Sequence, residues 1–220
     1  MSFGFQLIGD SSNYQVDDTY ANYVMTSKGT GTLTTDNMYP QAIVSCSITV
    51  SGVAPMIAYS CSSRMVQLYV QNSGSTWTFF MTSKTATNGS TFNYYIFDKA
   101  DQDSVSGGYG IEVFNSSGVR TFHSSNKVLR IAGIGGGTYT SGRTYAAIQF
   151  VQGMSYNETD ISGVGSLYRI NLSYTGASIS SNVVSVAANI YVNYTTTTIT
   201  GNTYSNSSGS VFGVIDVTNY

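Results

Sequence analysis

Charged residues are scarce in this sequence. Asp, Glu, Lys and Arg together make up 9% of its 220 residues, whereas about a quarter is usual in soluble globular domains. The net charge is −2, so the chain lacks the basic footprint that binding to nucleic acid requires. Of the nine basic residues only Arg120, Lys127 and Arg130 fall close together, and we expect them to form a solvated face on neighbouring strands. We therefore expect no nucleic-acid partner.

Long hydrophobic runs are missing as well. No run approaches the roughly 18 apolar residues that a membrane helix needs, so we expect no insertion into a membrane. Residues 1–12, MSFGFQLIGDSS, have neither a basic amino-terminal region nor a long apolar core, and we expect no secretory signal. An exported adhesin would need such a signal, whereas a virion protein made in the host cytoplasm would not.

Residues with catalytic chemistry are few. His123 is the single histidine, and no Gly-x-Ser-x-Gly motif accompanies it. The two glutamates, Glu112 and Glu158, are not placed as the paired acids of a glycosidase. Residues 137–144, GTYTSGRT, imitate a phosphate loop, but Arg143 stands where that motif needs a lysine. We expect that the protein is not an enzyme and uses no cofactor.

Metal ligands and disulfides are equally sparse. Asp98, Asp101 and Asp103 alternate along the chain and could hold Ca²⁺, but the glycine and distal glutamate of an EF-hand are missing. We favour a solvated linker there and predict no metal site. The two cysteines, Cys46 and Cys61, do not make a disulfide scaffold. We expect Cys46 to be a reduced thiol on the apolar face of a strand, with a Cys46–Cys61 bridge as the alternative.

The abundant residues are small or aromatic, with 23 Gly and 18 Tyr beside many Ser, Thr and Asn. No segment keeps the 3.6-residue apolar period of a helix, whereas many alternate with the period of a strand. We therefore predict an all-β chain, with a loop or edge hairpin at 28–36, a loop at 133–142 and a loop or long hairpin at 195–210. The segments predicted as strands are 3–8, 42–50, 55–61, 65–71, 76–81, 92–97, 109–114, 119–122, 127–131, 144–152, 167–174, 184–193 and 211–217.

Residues 109–131 organise our prediction of domains. They read YGIEVFNSSGVRTFHSSNKVLRI, a strand, a turn at Asn115–Gly118 and a returning strand. Residues 3–25, FGFQLIGDSSNYQVDDTYANYVM, follow the same pattern, so that Gly4 aligns with Gly110. The spacing divides the chain nearly in half. We predict two tandem β-sandwich-like domains, 1–104 and 105–220, with related opening hairpins.

The opening of the second unit carries a resemblance. YGIEVFNSSGVRTF, residues 109–122, follows YYIFD and resembles a pattern in tail and tail-tip proteins of tailed bacteriophages. In that pattern a Tyr-Gly strand, an Asn/Ser-Gly turn and a Val-x-x-Phe strand begin a domain. The resemblance implies a non-enzymatic structural protein of the virion, in the tail tip, baseplate or fibre region. Its partners would be copies of itself and other virion proteins.

Two further functions stay open, a module that binds a receptor or glycan on the host surface and a capsid decoration protein. For docking we favour the first strand, because its edge has no preceding chain to cover it; its residues are Phe3, Gly4, Phe5, Gln6, Leu7 and Ile8. Tyrosines among small polar residues make good contact surface, and they crowd the second half. The candidate receptor contacts are Tyr139, Tyr156, Tyr194 and Tyr204.

Overall fold

The computed structural model describes residues 4–9, 12–17, 22–35, 43–99, 109–162, 167–197 and 209–220, with the backbone alone at 4–9, 12–17, 157–158 and 189–194. These residues form eighteen strands and no helix, which confirms the all-β, sandwich-like fold class. The strands are β1 (Gly4–Gly9), β2 (Ser12–Asp17), β3 (Tyr23–Thr32), β4 (Thr34–Thr35), β5 (Val44–Ser51), β6 (Met56–Ser60), β7 (Met65–Ser73), β8 (Thr76–Ser83), β9 (Thr91–Lys99), β10 (Glu112–Phe114), β11 (Arg120–His123), β12 (Ile131–Ile134), β13 (Gly137–Thr138), β14 (Tyr145–Val151), β15 (Met154–Asp160), β16 (Tyr168–Ser180), β17 (Val183–Thr196) and β18 (Val211–Asp216).

Two large antiparallel sheets enclose the main core. One has six strands in the order β12-β18-β14-β6-β9-β3, and the other has eight in the order β13-β17-β16-β7-β8-β5-β4, with β15 beside β16. Alternation along each strand turns every second side chain inward. Tyr59 and Phe212 from the first sheet therefore meet Phe79 and Met81 from the second in one buried cluster. This cluster is the filling of a β-sandwich.

Strands from both halves of the sequence lie side by side in each large sheet. β14 pairs with β6, where Ala147 faces Tyr59, and β16 pairs with β7, where Ala177 faces Met65. The predicted boundary between 1–104 and 105–220 therefore does not separate two sheets or two cores. Alternation shows which side chains point inward, but it does not show which distant strand supplies the neighbouring hydrogen bonds.

The opposite face of the six-stranded sheet is buried as well, in a second core. Its members include Phe97 from β9, Ile148 from β14 and Ile215 from β18. Residues 127–131, which we call the strap, connect the two sides of this sheet. Leu129 N donates to Tyr23 O of β3 at 2.8 Å, and Ile131 faces Ile215 of β18. The strap thus packs on the second core through Leu129 and contacts strands on both sides of the sheet.

Both predicted opening hairpins are present, each as a two-stranded sheet of its own, β1–β2 and β10–β11. Their registers differ. Gln6 faces Gln15, whereas its counterpart Glu112 faces His123, which corresponds to Asp17 in the sequence comparison. The longer turn of the second hairpin accounts for this difference, and Gly118 takes φ 76° in it. The repeat is thus one of strand pattern and does not extend to the pairing.

Several strands lie where the sequence predicted loops or predicted no element. β3 runs through the glycine-rich start of residues 28–36, predicted as a loop or edge hairpin, because Gly29 faces Tyr94 and Gly31 faces Phe92, and β4 lies in the same segment. A Cβ at Gly29 would lie 2.5 Å from Tyr94 Oη, so the missing side chains make room for aromatic rings from β9. β13 lies within the predicted loop 133–142, and the polar β15 pairs with β16 without contributing much to a core. Most of the loop predicted at 195–210 lies outside the described residues.

Candidate functional site

Large apolar side chains are exposed on the β10–β11 hairpin. Tyr109 is 107% exposed, Ile111 59%, Phe114 51% and Val119 41%; we call these four residues the apolar hairpin. All four lie in the stretch that the sequence predicted as a hairpin, residues 109–122. Their side chains are exposed among the described residues, whereas Thr121, Phe122 and His123 of β11 are buried.

Polar contacts hold the shape of this hairpin. Asn115 Oδ1 accepts hydrogen bonds from Ser117 N at 3.0 Å and Val119 N at 2.8 Å, and Ile111 N donates to Ser124 Oγ at 3.0 Å. Arg120 pairs with Glu112 at 3.0 Å. The hairpin therefore does not depend on its apolar side chains for its conformation, and these side chains can serve a partner.

His123 is buried behind the hairpin. Its Nδ1 accepts from Ser125 N at 3.1 Å and lies 2.5 Å from Ser125 Oγ. Both contacts join residues only two positions apart, so the His123 side chain stabilises the turn that follows β11. Glu112 Oε1 lies 3.7 Å from His123 Nε2, beyond hydrogen-bonding distance, and Arg120 already engages that carboxylate. We therefore assign His123 a structural role at the end of β11.

Four of the nine basic residues converge on residues 216–220. Lys28 Nζ donates to Tyr220 O at 2.5 Å, Lys127 Nζ to Asn219 O at 2.7 Å and Arg130 Nη2 to Thr218 O at 3.0 Å. Arg143 forms a close ion pair with Asp216. The sequence predicted a solvated face for Lys127 and Arg130, and it missed this cluster because their partners lie roughly 90 residues away.

A cavity of about 350 Å³ opens between the strap and residues 218–220. Side chains of several chemical kinds line it: Phe122, Ser124, Asn126, Lys127, Arg130 and Tyr220. Arg130 lies over the Tyr220 ring, 4.7 Å from its centroid, and its Nε donates to Tyr220 Oη at 3.0 Å. Cations, an amide and aromatic rings thus face one small volume.

Asp216 is 5% exposed and is surrounded by donors. Burial by itself would raise the pKa of Asp216, but hydrogen bonds from Thr218 and Arg143 and the charge of Arg130 outweigh it, and the pKa is lowered. Thr218 N donates to Oδ1 at 3.0 Å. The carboxylate is therefore held in its charged form.

We expect this carboxylate to contribute to acid sensitivity. Because the folded-state pKa of Asp216 lies below the unfolded value, its contribution to stability is complete above the unfolded value. The contribution is lost as the pH falls through the folded value. In Asp216→Asn the free energy of unfolding should change less with pH below about pH 4, as measured by urea denaturation at a series of pH values. Asp160→Asn is the comparison, because the Asp160 carboxylate is exposed and accepts local hydrogen bonds from Ser162; it should change the profile less than Asp216→Asn does. An unchanged profile for Asp216→Asn would contradict the assignment.

The residues predicted for docking and receptor contact are only partly described. Tyr139 is part of the fold, because its hydroxyl donates to Gly135 O at 3.1 Å and its ring lies 5.3 Å from that of Tyr145. Tyr156 is half-buried on β15, and Tyr194 lies opposite Ile170 in the sheet. Phe3 and Tyr204 lie outside the described residues. Of the docking candidates the structure describes the backbone of five, all in β1: Gly4, Phe5, Gln6, Leu7 and Ile8.

Asp98 is not part of a solvated linker. It is 1% exposed, and its carboxylate accepts from Val53 N at 2.9 Å and Ala54 N at 3.0 Å. Asp101 and Asp103 lie outside the described residues, and in the described part of the chain no three His, Cys, Asp or Glu side chains gather to hold a metal.

The two cysteines are unbridged, with Cys46 half-buried and Cys61 buried. Cys46 packs against the main core beside Val50, which confirms the predicted reduced thiol on an apolar strand face. Burial raises the pKa of both thiols. Thiolate, the reactive form of cysteine, is therefore disfavoured at both positions.

The described residues include no helix long and apolar enough to span a bilayer. Comparison of the chain with protein-family models, with curated proteins and with solved structures gives no match. The described residues form an all-β, sandwich-like protein that exposes large apolar side chains on one hairpin, and the function is argued from these features.

Proposed function

We propose that this chain is a non-enzymatic structural protein of the virion of a tailed phage, assembling in the tail tip, baseplate or fibre region. The observation that carries the proposal is the apolar hairpin. The stretch that resembles phage tail proteins is also the stretch that exposes four large apolar side chains within residues 109–119. Exposed apolar patches of this kind mark sites of protein interaction.

The occupant we propose for this surface is another copy of the chain, with other virion proteins as further neighbours. β10 and β11 pair only with each other among the described strands, so each has an edge that can extend into a neighbour's sheet. β2 lies beside β11, and it pairs with β1, which brings the described part of the predicted docking strand into the same region. An obligate contact would bury more than about 1,000 Å².

Contacts made in this way should tolerate salt. Only 9% of the residues are charged, and screening acts on charges, so apolar groups, hydroxyls and amides would carry the interface. An assembly that fell apart on a moderate rise in ionic strength would be inconsistent with this surface.

The test is incorporation into particles. Ile111→Ser combined with Phe114→Ser should abolish incorporation, because both changes remove exposed apolar area without altering the polar contacts that shape the hairpin. Deletion of residues 1–8 should have the same effect, whereas shortening 196–209 should leave assembly intact and alter adsorption at most. The measurement is immunoblotting of purified particles for the chain, together with its location by cryo-electron microscopy.

Val183→Ser is the matched control, since Val183 is also an exposed apolar strand residue, at 41%, but lies in a different hairpin. It should be incorporated like the wild type. Normal incorporation of the double hairpin variant would overturn the proposed docking surface, and location of the chain on the capsid would favour a decoration protein instead.

A receptor- or glycan-binding module is the second candidate function. The observation that favours it is the cavity beside the strap, where cationic, amide and aromatic groups meet. The two functions are compatible, because the cavity and the apolar hairpin are formed by different residues.

A further inference from the structure

The cavity beside the strap has the size of a small-ligand site. Its volume of about 350 Å³ lies at the lower end of the range of about 300–1,000 Å³ in which such sites fall. Ser124, Lys127 and Asn219 are exposed at its rim, so a ligand could enter from solvent. Phe122 is 9% exposed and forms part of its wall. These features indicate room for one sugar unit or a molecule of similar size.

A buried, unsatisfied amide lies beside this cavity. Both Oδ1 and Nδ2 of Asn126 are buried, and neither has a hydrogen-bond partner among the described residues. Buried polar groups are nearly always paired, and an unpaired one costs stability. Asn126 lines the cavity, and a rotation of its side chain toward the cavity would let a ligand with adjacent donor and acceptor groups satisfy both atoms at once. A vicinal diol of a sugar has that pattern.

The two charged side chains that line the cavity are both cations. Lys127 and Arg130 contribute cations, and none of the described side chains that line the cavity is acidic. Arg130 is committed to the backbone of residues 216–218 and to Asp216. Lys127 uses one hydrogen bond to Asn219 O, and an ammonium group has three donors. Lys127 is therefore the group best placed to receive a carboxylate.

Aromatic rings complete the site. Phe122 and Tyr220 both line the cavity, and the apolar face of a sugar ring packs well on such side chains. Tyr220 is held in place by Arg130 Nε and by its own hydrogen bond to Val128 O. The ring is therefore preorganised, which lowers the cost of binding.

We propose that this cavity binds a carboxylated sugar unit. Lys127 receives the carboxylate, Asn126 bonds to ring hydroxyls and the aromatic residues pack on the ring. The proposal does not depend on the docking role of the apolar hairpin, and its test uses the isolated chain.

The test compares D-galacturonate with D-galactose, which differ at C6 by a carboxylate in place of a hydroxymethyl group. Isothermal titration calorimetry should show about tenfold tighter binding of galacturonate. Amide NMR shifts should change at residues 122–130 and 218–220. Acetate should bind far more weakly than galacturonate, because it lacks the ring. Trigalacturonate that binds more tightly than the monosaccharide would identify a glycan chain as the source of the ligand, and equal affinity would identify a free sugar.

Two variants separate the roles. Lys127→Gln should reduce the affinity for galacturonate to that for galactose, while Lys84→Gln, at an exposed lysine outside the cavity, should change neither. Asn126→Ala should weaken both sugars by about tenfold. It should leave the thermal midpoint unchanged or raise it, because it removes an unpaired buried amide. A purely structural Asn126 would instead lower the midpoint.

The proposal fails if galacturonate produces no shift at these residues, if galactose binds as tightly, or if acetate does. It also fails if Lys127→Gln leaves the preference for galacturonate intact.

Discussion

Phe97→Ala is expected to lower the free energy of unfolding by about 3–5 kcal/mol and to do so in one cooperative transition. Phe97 is 0% exposed and belongs to the second core, together with Ile148 and Ile215 from the other half of the sequence. Its ring also lies 6.2 Å from that of Tyr220. Removing it leaves a cavity between strands of both halves, so both should lose stability together.

Urea denaturation followed by two probes checks this expectation. Fluorescence of Trp77 reports on β8 in the eight-stranded sheet, and the NMR signal of Ile215 reports on β18 in the six-stranded sheet. Both should shift to the same lower midpoint. Phe114→Ala is the control, because Phe114 is 51% exposed and its loss should cost no more than about 0.5 kcal/mol. Two separate transitions, or a shift of one probe alone, would support the tandem domains that the sequence predicted.

Much of the strand content could be predicted because alternation is a local property. Val44 and Ile48 are buried on one face of β5 while Ser47 and Thr49 are exposed, as the sequence indicates. The turn at Asn115–Gly118 could be predicted for the same reason, since Gly118 takes the positive φ that favours glycine.

The pairing of strands could not be predicted in the same way. β6 has β9 on one side and β14 on the other, and nothing in the alternation of residues 56–60 distinguishes these neighbours from any others. The similar strand–turn–strand pattern of residues 3–25 and 109–131 then favoured the prediction of two domains. In the structure the strap joins the two halves of the sequence, because this one short segment contacts both β3 and β18.

The candidate sites divide along the same line. The hairpin carried a recognisable local pattern, but its exposure depends on whether another layer covers it, which is a tertiary property. The cluster of cations around residues 216–220 could not be predicted, because its members are distant in the sequence: Lys28 and Tyr220 are 192 residues apart. Asn126 was not singled out in the sequence, because only the fold reveals that its amide is buried without a partner in the described structure.

Asp98→Asn is expected to cost about 2–4 kcal/mol of unfolding free energy. The Asp98 carboxylate accepts from Val53 N and Ala54 N, and from its own neighbour Lys99 N at 2.8 Å. An asparagine would keep one acceptor oxygen and turn an NH₂ group toward a backbone donor, leaving a buried N–H unpaired. Thermal and urea unfolding measure the loss.

A double-mutant cycle with Gly52 identifies the cause. A Cβ at Gly52 would lie 2.2 Å from Asp98 Oδ2, so Gly52→Ala should be strongly destabilising in the wild type. It should cost less in Asp98→Ala, where the carboxylate no longer occupies that space, and the coupling between the two sites should therefore be clear. Addition of Ca²⁺ or EDTA should leave the wild-type midpoint unchanged, because the carboxylate oxygens are already engaged by backbone donors. Additive effects of the two substitutions, or a midpoint that rises with Ca²⁺, would show that Asp98 does not hold the β5–β6 loop in the way its contacts indicate.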